Sequence, residues 1–159
     1  MATEIERKFL VKGDGWRSLA VGVPYRQGYL STHRGKTVRV RVVGDRGILT
    51  IKGPTVGSTR SEFEYEIPIA DALELLEMCD RPLIEKTRYK IPFGKLIWEI
   101  DEFAGENQGL ILAEVELTHE EQVIDLPEWI AREVSDPKYF NANLVKHPYR
   151  EWGSAEGAG

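Results

Sequence analysis

Segment after segment of this chain alternates with period two, charged residues holding one phase and apolar residues the other. In "TEIERKFLV" an extended backbone puts Glu4, Glu6 and Lys8 on one face and Ile5, Arg7 and Phe9 on the other. The pattern returns in "KTVRVRVV", "RSEFEYEIPI", "EKTRYKI", "LIWEIDEF" and "LILAEVELT". A one-residue slip would move every charge to the opposite face, so this phase fixes strand register more firmly than propensity can. Collected by phase, one face holds Glu4, Glu6, Lys8, Arg39, Arg41, Lys52, Glu62, Glu64, Glu66, Lys86, Arg88, Lys90, Glu99, Asp101, Glu114 and Glu116, nine acids and seven bases. The other holds residues such as Phe9, Val38, Val40, Leu49, Phe63, Tyr89, Trp98, Ile100 and Val115.

Turn chemistry separates these segments. Gly44, Asp45 and Gly47 mark a hairpin between two strands, "PTVGST" is a loop by composition, and "AGENQG" breaks the last pair. "YRQGYLS" is a further extended segment, with Tyr25, Gln27 and Tyr29 on one side. "ADALELLEMCD" is helical, with Ala72, Leu73, Leu76 and Cys79 along one stripe and Pro82 stopping it by about residue 81. "PEWIAREVS" and "NANLVKH" read as short helices, and "GSAEGAG" as a flexible tail. Residues 1–152 therefore form one expected domain and 153–159 the tail.

Seven or eight strands around a few helices point to an antiparallel α+β domain, open or closed into a barrel, over an alternating α/β sheet. Two placements of the charged face fit. It lies in bulk water over an apolar core, or it curls inward while helices cover the apolar positions. An enclosed mixture of this kind has a specific chemistry: paired carboxylates hold a hard divalent cation, and Lys and Arg meet phosphate oxygens.

Composition narrows the classes. The 159 residues, 42% hydrophobic, suffice for one sizeable core, and the formal charge of -5 argues against non-specific nucleic-acid binding. Cys79 is the single cysteine and cannot close an internal disulfide, and no long apolar stretch follows a basic amino-terminal region. The expectation is a cytoplasmic protein with neither nucleic acid nor membrane as partner.

The ordered series "EIERKF", "GYL", "VRVR", "TIKG", the Glu-rich strand, "EKTRY", "EID", "AEVE" and "YFNANL" resembles the CYTH superfamily, the triphosphate tunnel metalloenzymes. The closest likeness is to its compact microbial branch, associated with inorganic tripolyphosphate hydrolysis. This resemblance implies an eight-stranded antiparallel β-barrel tunnel with peripheral helices, a triphosphate-containing small molecule as substrate, Mg²⁺ or Mn²⁺ as cofactor, and a homodimer.

The resemblance also assigns roles. Glu4, Glu6, Glu62, Glu64, Asp101, Glu114 and Glu116 match metal-binding or metal-supporting positions, with Glu66 continuing the alternating face. Lys8, Arg39, Arg41, Lys52, Arg60 and Arg88 match substrate-binding positions, and Lys86 and Tyr29 positions suited to activating or orienting water. The implied reaction is metal-dependent hydrolysis of tripolyphosphate to pyrophosphate and phosphate. The alternatives are adenylate cyclisation of the class IV kind, thiamine triphosphate hydrolysis and non-catalytic polyphosphate binding. The stretch "DPKYFNANLVKH" is expected to cover one end of the tunnel.

Overall fold

The computed structural model describes residues 3–153, so the expected tail, beyond Gly153, lies outside the described residues. The alternating segments become the strands β1 (Thr3–Val11), β2 (Val23–His33), β3 (Lys36–Val43), β4 (Arg46–Lys52), β5 (Thr59–Ile67), β6 (Ile84–Phe93), β7 (Leu96–Phe103), β8 (Ile111–Glu116) and β9 (Ile130–Val134). Helix α1 (Ile69–Glu77) follows β5, and α2 (Asn141–Lys146) lies near the carboxyl end. All strand pairs are antiparallel, in the order β5-β4-β3-β2-β6-β7-β8-β1-β9.

The expected eight-stranded closed barrel is thereby corrected to a curled sheet of nine strands. The reason lies in the outer edge of β1. Continuous closure would need that whole edge for β5, but β5 takes only Thr3, Ile5 and Glu4 between them, while Lys8 to Val11 pair with β9. The end strand β5 meets the far side of the sheet through that short ladder to β1 alone, and the other end strand, β9, takes the rest of the edge.

A second correction concerns "PEWIAREVS", expected as a helix and found to contain β9. Ile130 and Val134 are buried four residues apart, a spacing that also suits one helical face. Pairing with the free edge of β1 satisfies the backbone and wins over the local pattern. Helix α1 ends at Glu77, four residues before the expected stop, and Leu73 of its expected stripe is exposed.

The hairpins follow their turn residues. Between β2 and β3, His33 pairs with Lys36 across Arg34 and Gly35, both at positive φ (52° and 82°), as a two-residue type I′ loop requires. Gly44 supplies the positive φ between β3 and β4.

The apolar phase of the strands faces outward and is covered in two places. Phe9, Trp98, Ile100 and Val115 pack with Trp16, from a 3₁₀ turn, and with Trp129. Ala72 and Leu76 of α1 seal Val40. A third cluster lies on the inward phase itself, where Ile84, Phe103 and Leu112 continue the faces of Lys86, Asp101 and Glu114 and pack under Tyr139, Leu144 and Trp152. Each such burial contributes about 1.5–3 kcal/mol, which offsets the cost of turning the charged phase inward.

Candidate active site

The inward phase surrounds a cavity of about 790 Å³. Every residue given a metal-binding, substrate-binding or catalytic role from the sequence lines it except Asp101; Glu66, which continues the charged face, does not border it either. Twelve Lys and Arg and eight Glu border the space, a cationic surplus inside a chain whose formal charge is -5.

One wall is acidic and comes from β1, β5 and β8. Glu6 stands directly opposite Glu116, and Lys8 opposite Glu114, in the β1–β8 ladder. Lys8 Nζ donates to Glu6 Oε1 at 2.8 Å and Glu114 Oε1 at 2.9 Å. Lys52 Nζ donates to both oxygens of Glu4, at 2.9 and 3.1 Å, and lies 3.4 Å from Glu62. Opposed carboxylates repel. Burial, then the neighbouring Glu62, raises Glu4 against the pull of Lys52. Burial and Glu114 raise Glu6, and burial with Glu4 and Glu6 raises Glu116. Glu114 goes the other way, held well below the usual range against burial by Lys8, Arg88 and Lys86.

Glu99, in the charged phase but not among the expected site residues, also lines the cavity, opposite Glu114. Glu62 and Glu64 face the space, whereas Glu66 pairs with Arg46 at 3.4 Å.

The facing wall is basic and comes from β2, β3 and β6. Arg39 donates to Thr50 Oγ1 at 3.1 Å and reaches Glu64 at 3.5 Å, and among the described residues its buried Nε has no hydrogen-bond partner. Arg41 Nε donates to Gln27 Oε1 at 2.8 Å, a neutral acceptor, and among the described residues it has no ion pair. Burial, then Arg39 and Arg88, bring Arg41 down to about 9.

Asp101 lies behind this wall, fully buried, with both oxygens engaged: Oδ1 by Arg88 Nε at 2.7 Å, and Oδ2 by Arg88 Nη2 and Lys86 Nζ, each at 2.8 Å. One carboxylate thus serves two cations. Burial, with Arg88 and Arg41 adding to it, lowers Lys86 to about 7 against the pull of Asp101.

Lys86 also donates to Asn141 Oδ1 at 2.9 Å, and Gln27 Nε2 donates to the same oxygen at 3.2 Å. A neutral chain therefore links Arg41, Gln27, Asn141 and Lys86. Asn141 begins α2, and Pro137, Phe140, Asn141, Ala142, Asn143 and Lys146 all border the cavity, where "DPKYFNANLVKH" was expected to cover one end. Tyr29 is buried on the cavity lining, opposite Arg39 in register.

Arg60 sits at the mouth in a different setting. Its Nε donates to the Gly53 carbonyl at 2.9 Å and a terminal nitrogen to the Gly35 carbonyl at 3.0 Å, tying two loops together. Gln27, Thr50 and Asn141 carried no charge to mark them in the sequence. Only the shared phase of Tyr25, Gln27 and Tyr29 pointed toward this wall.

Among the described residues no three acidic, imidazole or thiol groups are already gathered as a metal-ligand set. The donors nevertheless fit a hard divalent cation. They are all carboxylates, and Glu4, Glu6 and Glu116 are raised by burial and by neighbouring carboxylates, a strain that a cation between them relieves. Among the described residues no helix is long and apolar enough to cross a membrane.

Residues 2–149 match the model of the CYTH domain. The chain is 54% identical over 154 residues to an inorganic triphosphatase of Acetivibrio thermocellus, covering 96% of this chain and 99% of that one. It is 39% identical over 149 residues to an inorganic triphosphatase of Nitrosomonas europaea, covering 90% and 97%. A crystal structure of the inorganic triphosphatase NE1496 superposes with a TM-score of 0.63 at 34% identity, covering 89% of this chain and 96% of that one. With a family match over nearly its whole length and an inward face of the expected acids and bases, this chain belongs to the CYTH domain family.

Proposed function

We propose that this chain hydrolyses inorganic tripolyphosphate to pyrophosphate and phosphate in the cavity, with Mg²⁺ or Mn²⁺ as cofactor. The observation that carries the reading is the cationic surplus of the lining, centred on Arg39 and Arg41, which no carboxylate neutralises fully. A compact polyanion supplies the missing charge. The relatives named inorganic triphosphatase support the same substrate class.

Arg39, Arg41 and Arg88 bind the phosphate oxygens from one side, and Lys8 and Lys52 reach them from the acidic side. Preorganised cations of this kind stabilise charge that grows on the leaving group. Glu4, Glu6 and Glu116 hold the cation, with Glu62, Glu64 and Glu114 beside them. When bound, it neutralises triphosphate oxygens and polarises phosphorus as a Lewis acid. Asp101 acts through Arg88 and Lys86 and not as a ligand.

In the reaction a water oxygen bonds to the terminal phosphorus and the bridging P–O bond breaks, its electron pair leaving with pyrophosphate. Lys86, drawn down to about 7, is free in part to accept the water's proton at neutral pH, and Tyr29 orients that water. The Asn141 amide fixes the direction of the Lys86 amine. The segment carrying α2 closes one end of the cavity and keeps bulk water out.

The chain acts as a homodimer in the cytoplasm. Its outer face at β4 and β5 supports association: Ile51 and Phe63 oppose each other in register and are 40% and 44% exposed. Light scattering at micromolar protein tests this; a lone monomer with full activity contradicts it.

Initial rates with tripolyphosphate, thiamine triphosphate and ATP test the substrate. The proposal requires tripolyphosphate to have the highest kcat/KM. Preference for either other compound, or cyclic AMP from ATP, overturns it.

A further inference from the structure

Tyr25 takes part in neither the ion pairs nor the acid–base chemistry described above, yet it sits at the centre of the basic wall. Its strand, β2, lies between β3 and β6. Across one ladder Arg41 stands opposite Gln27, and across the other Arg88 stands opposite Val23, so both arginines are diagonal neighbours of Tyr25 on the same face. Diagonal neighbours are within reach of an aromatic ring and a long side chain. The Arg41 guanidinium carbon lies 4.8 Å from the Tyr25 ring centroid and that of Arg88 lies 5.0 Å from it. Tyr25 is 8% exposed, and among the described residues its hydroxyl makes no hydrogen bond.

Two buried guanidinium groups held this close repel each other, and of the two only Arg88 has carboxylates to hold it, Asp101 and, at 3.4 Å, Glu99. Arg41 has a neutral amide on one side and the ring on the other. The negative face of an aromatic quadrupole attracts a cation, and more so away from water. A ring shared by both arginines therefore opposes their mutual repulsion without supplying an anion that would compete with substrate. A carboxylate at this place would hold the arginines better and neutralise the charge they offer.

We propose that Tyr25 is a positioning residue for triphosphate binding, its ring face holding Arg41 and Arg88 together before the anion arrives. The inference rests on the triphosphatase reading for the choice of ligand. The ring acts through the arginines in the free protein as well as in the complex, so its effect falls on affinity and KM more than on kcat.

The test measures tripolyphosphate binding by calorimetry at one fixed Mg²⁺ concentration, alongside KM and kcat, for wild type, Tyr25→Phe and Tyr25→Leu. Phenylalanine keeps the ring face and binds close to wild type. Leucine keeps apolar bulk without the quadrupole and weakens binding roughly 3- to 30-fold, with KM rising and kcat little changed. Should Tyr25→Leu fold poorly, a series of phenylalanines with successive ring fluorines at position 25 preserves shape while draining the ring face. Affinity then falls with each fluorine.

A flat fluorine series, a leucine variant that binds like wild type, or a kcat loss at unchanged affinity overturns the inference. A phenylalanine variant as weak as leucine overturns it too, by moving the effect to the hydroxyl. Product formation separates the two claims: wild type that binds tripolyphosphate without hydrolysing it sinks the triphosphatase reading and leaves the ring comparison intact. Wild type that does not bind it at all overturns both.

Discussion

The two walls of the cavity solve opposite problems with different partners. On β1, β5 and β8 the carboxylates repel one another and are already crossed by lysines, with Lys8 between Glu6 and Glu114 and Lys52 on Glu4. On β2, β3 and β6, Arg39 and Arg41 rest mainly on neutral groups, Gln27, Thr50 and the Tyr25 ring, while Arg88 is held by buried Asp101, which also serves Lys86, and lies 3.4 Å from Glu99. One wall has carboxylates in excess and takes a cation. The other has positive charge in excess and takes an anion. The contrast teaches that charge type alone does not define the site; the neutral partners decide which charges stay available.

Replacing both Glu4 and Glu6 by Gln gives the largest effect. Two anionic donors are lost while size and hydrogen bonding persist, so kcat/KM falls by about 100-fold or more. Divalent-ion dependence weakens with it, and circular dichroism stays native. A folded double variant with unchanged metal dependence would remove the acidic wall from the site.

On the basic wall, Arg41→Met separates binding from stability. It removes a buried charge that lacks a carboxylate partner, so KM rises about tenfold or more while the thermal midpoint rises, with a gain of about 1 kcal/mol. A drop in midpoint would mean that Arg41 is better compensated than its contacts indicate.

The pH dependence of the basic wall sharpens the contrast. Burial, then Arg39 and Arg88, pull Arg41 down, yet a guanidinium stays charged, so the titration of this wall falls to Lys86. Burial first, then Arg88 and Arg41, lower Lys86 to about 7. Below that pH its amine is protonated and cannot accept the water's proton, so turnover rises as pH rises through about 7. A pH–rate profile of Lys86→Gln lacks this limb, and its persistence there would assign it to another group.

The smallest effect belongs outside both walls. Arg81 and Glu77 form an exposed i,i+4 pair at 3.4 Å at the carboxyl end of α1. Arg81→Ala changes stability by less than about 0.5 kcal/mol and leaves turnover unchanged. A larger change in a urea melt would show that distance from the cavity is a poor guide.

The strand faces were legible because a half-buried strand writes its environment into every second residue. Glu4, Glu6 and Lys8 in one segment and Arg39 and Arg41 in another share the cavity because their phase was fixed locally. The edges were not legible. Which strand takes the outer side of β1 depends on backbone groups that carry no side-chain signal, so the ninth strand and the short β1–β5 ladder could not be read from alternation. Asp101 shares the charged phase yet sits behind the lining, because two cations draw it under them. Arg60 shows the converse, a base at the mouth occupied by the carbonyls of Gly53 and Gly35. Phase gives the face of a residue and not its depth or its partner.

The most direct measurement is a ³¹P NMR time course of wild-type protein with tripolyphosphate, run without divalent cation and then across a range of Mg²⁺ and Mn²⁺. Joint use of a cation wall and an anion wall predicts pyrophosphate and phosphate appearing in equal amounts, only when the cation is present. Unchanged tripolyphosphate at every cation concentration, or equal rates without any divalent cation, would contradict it.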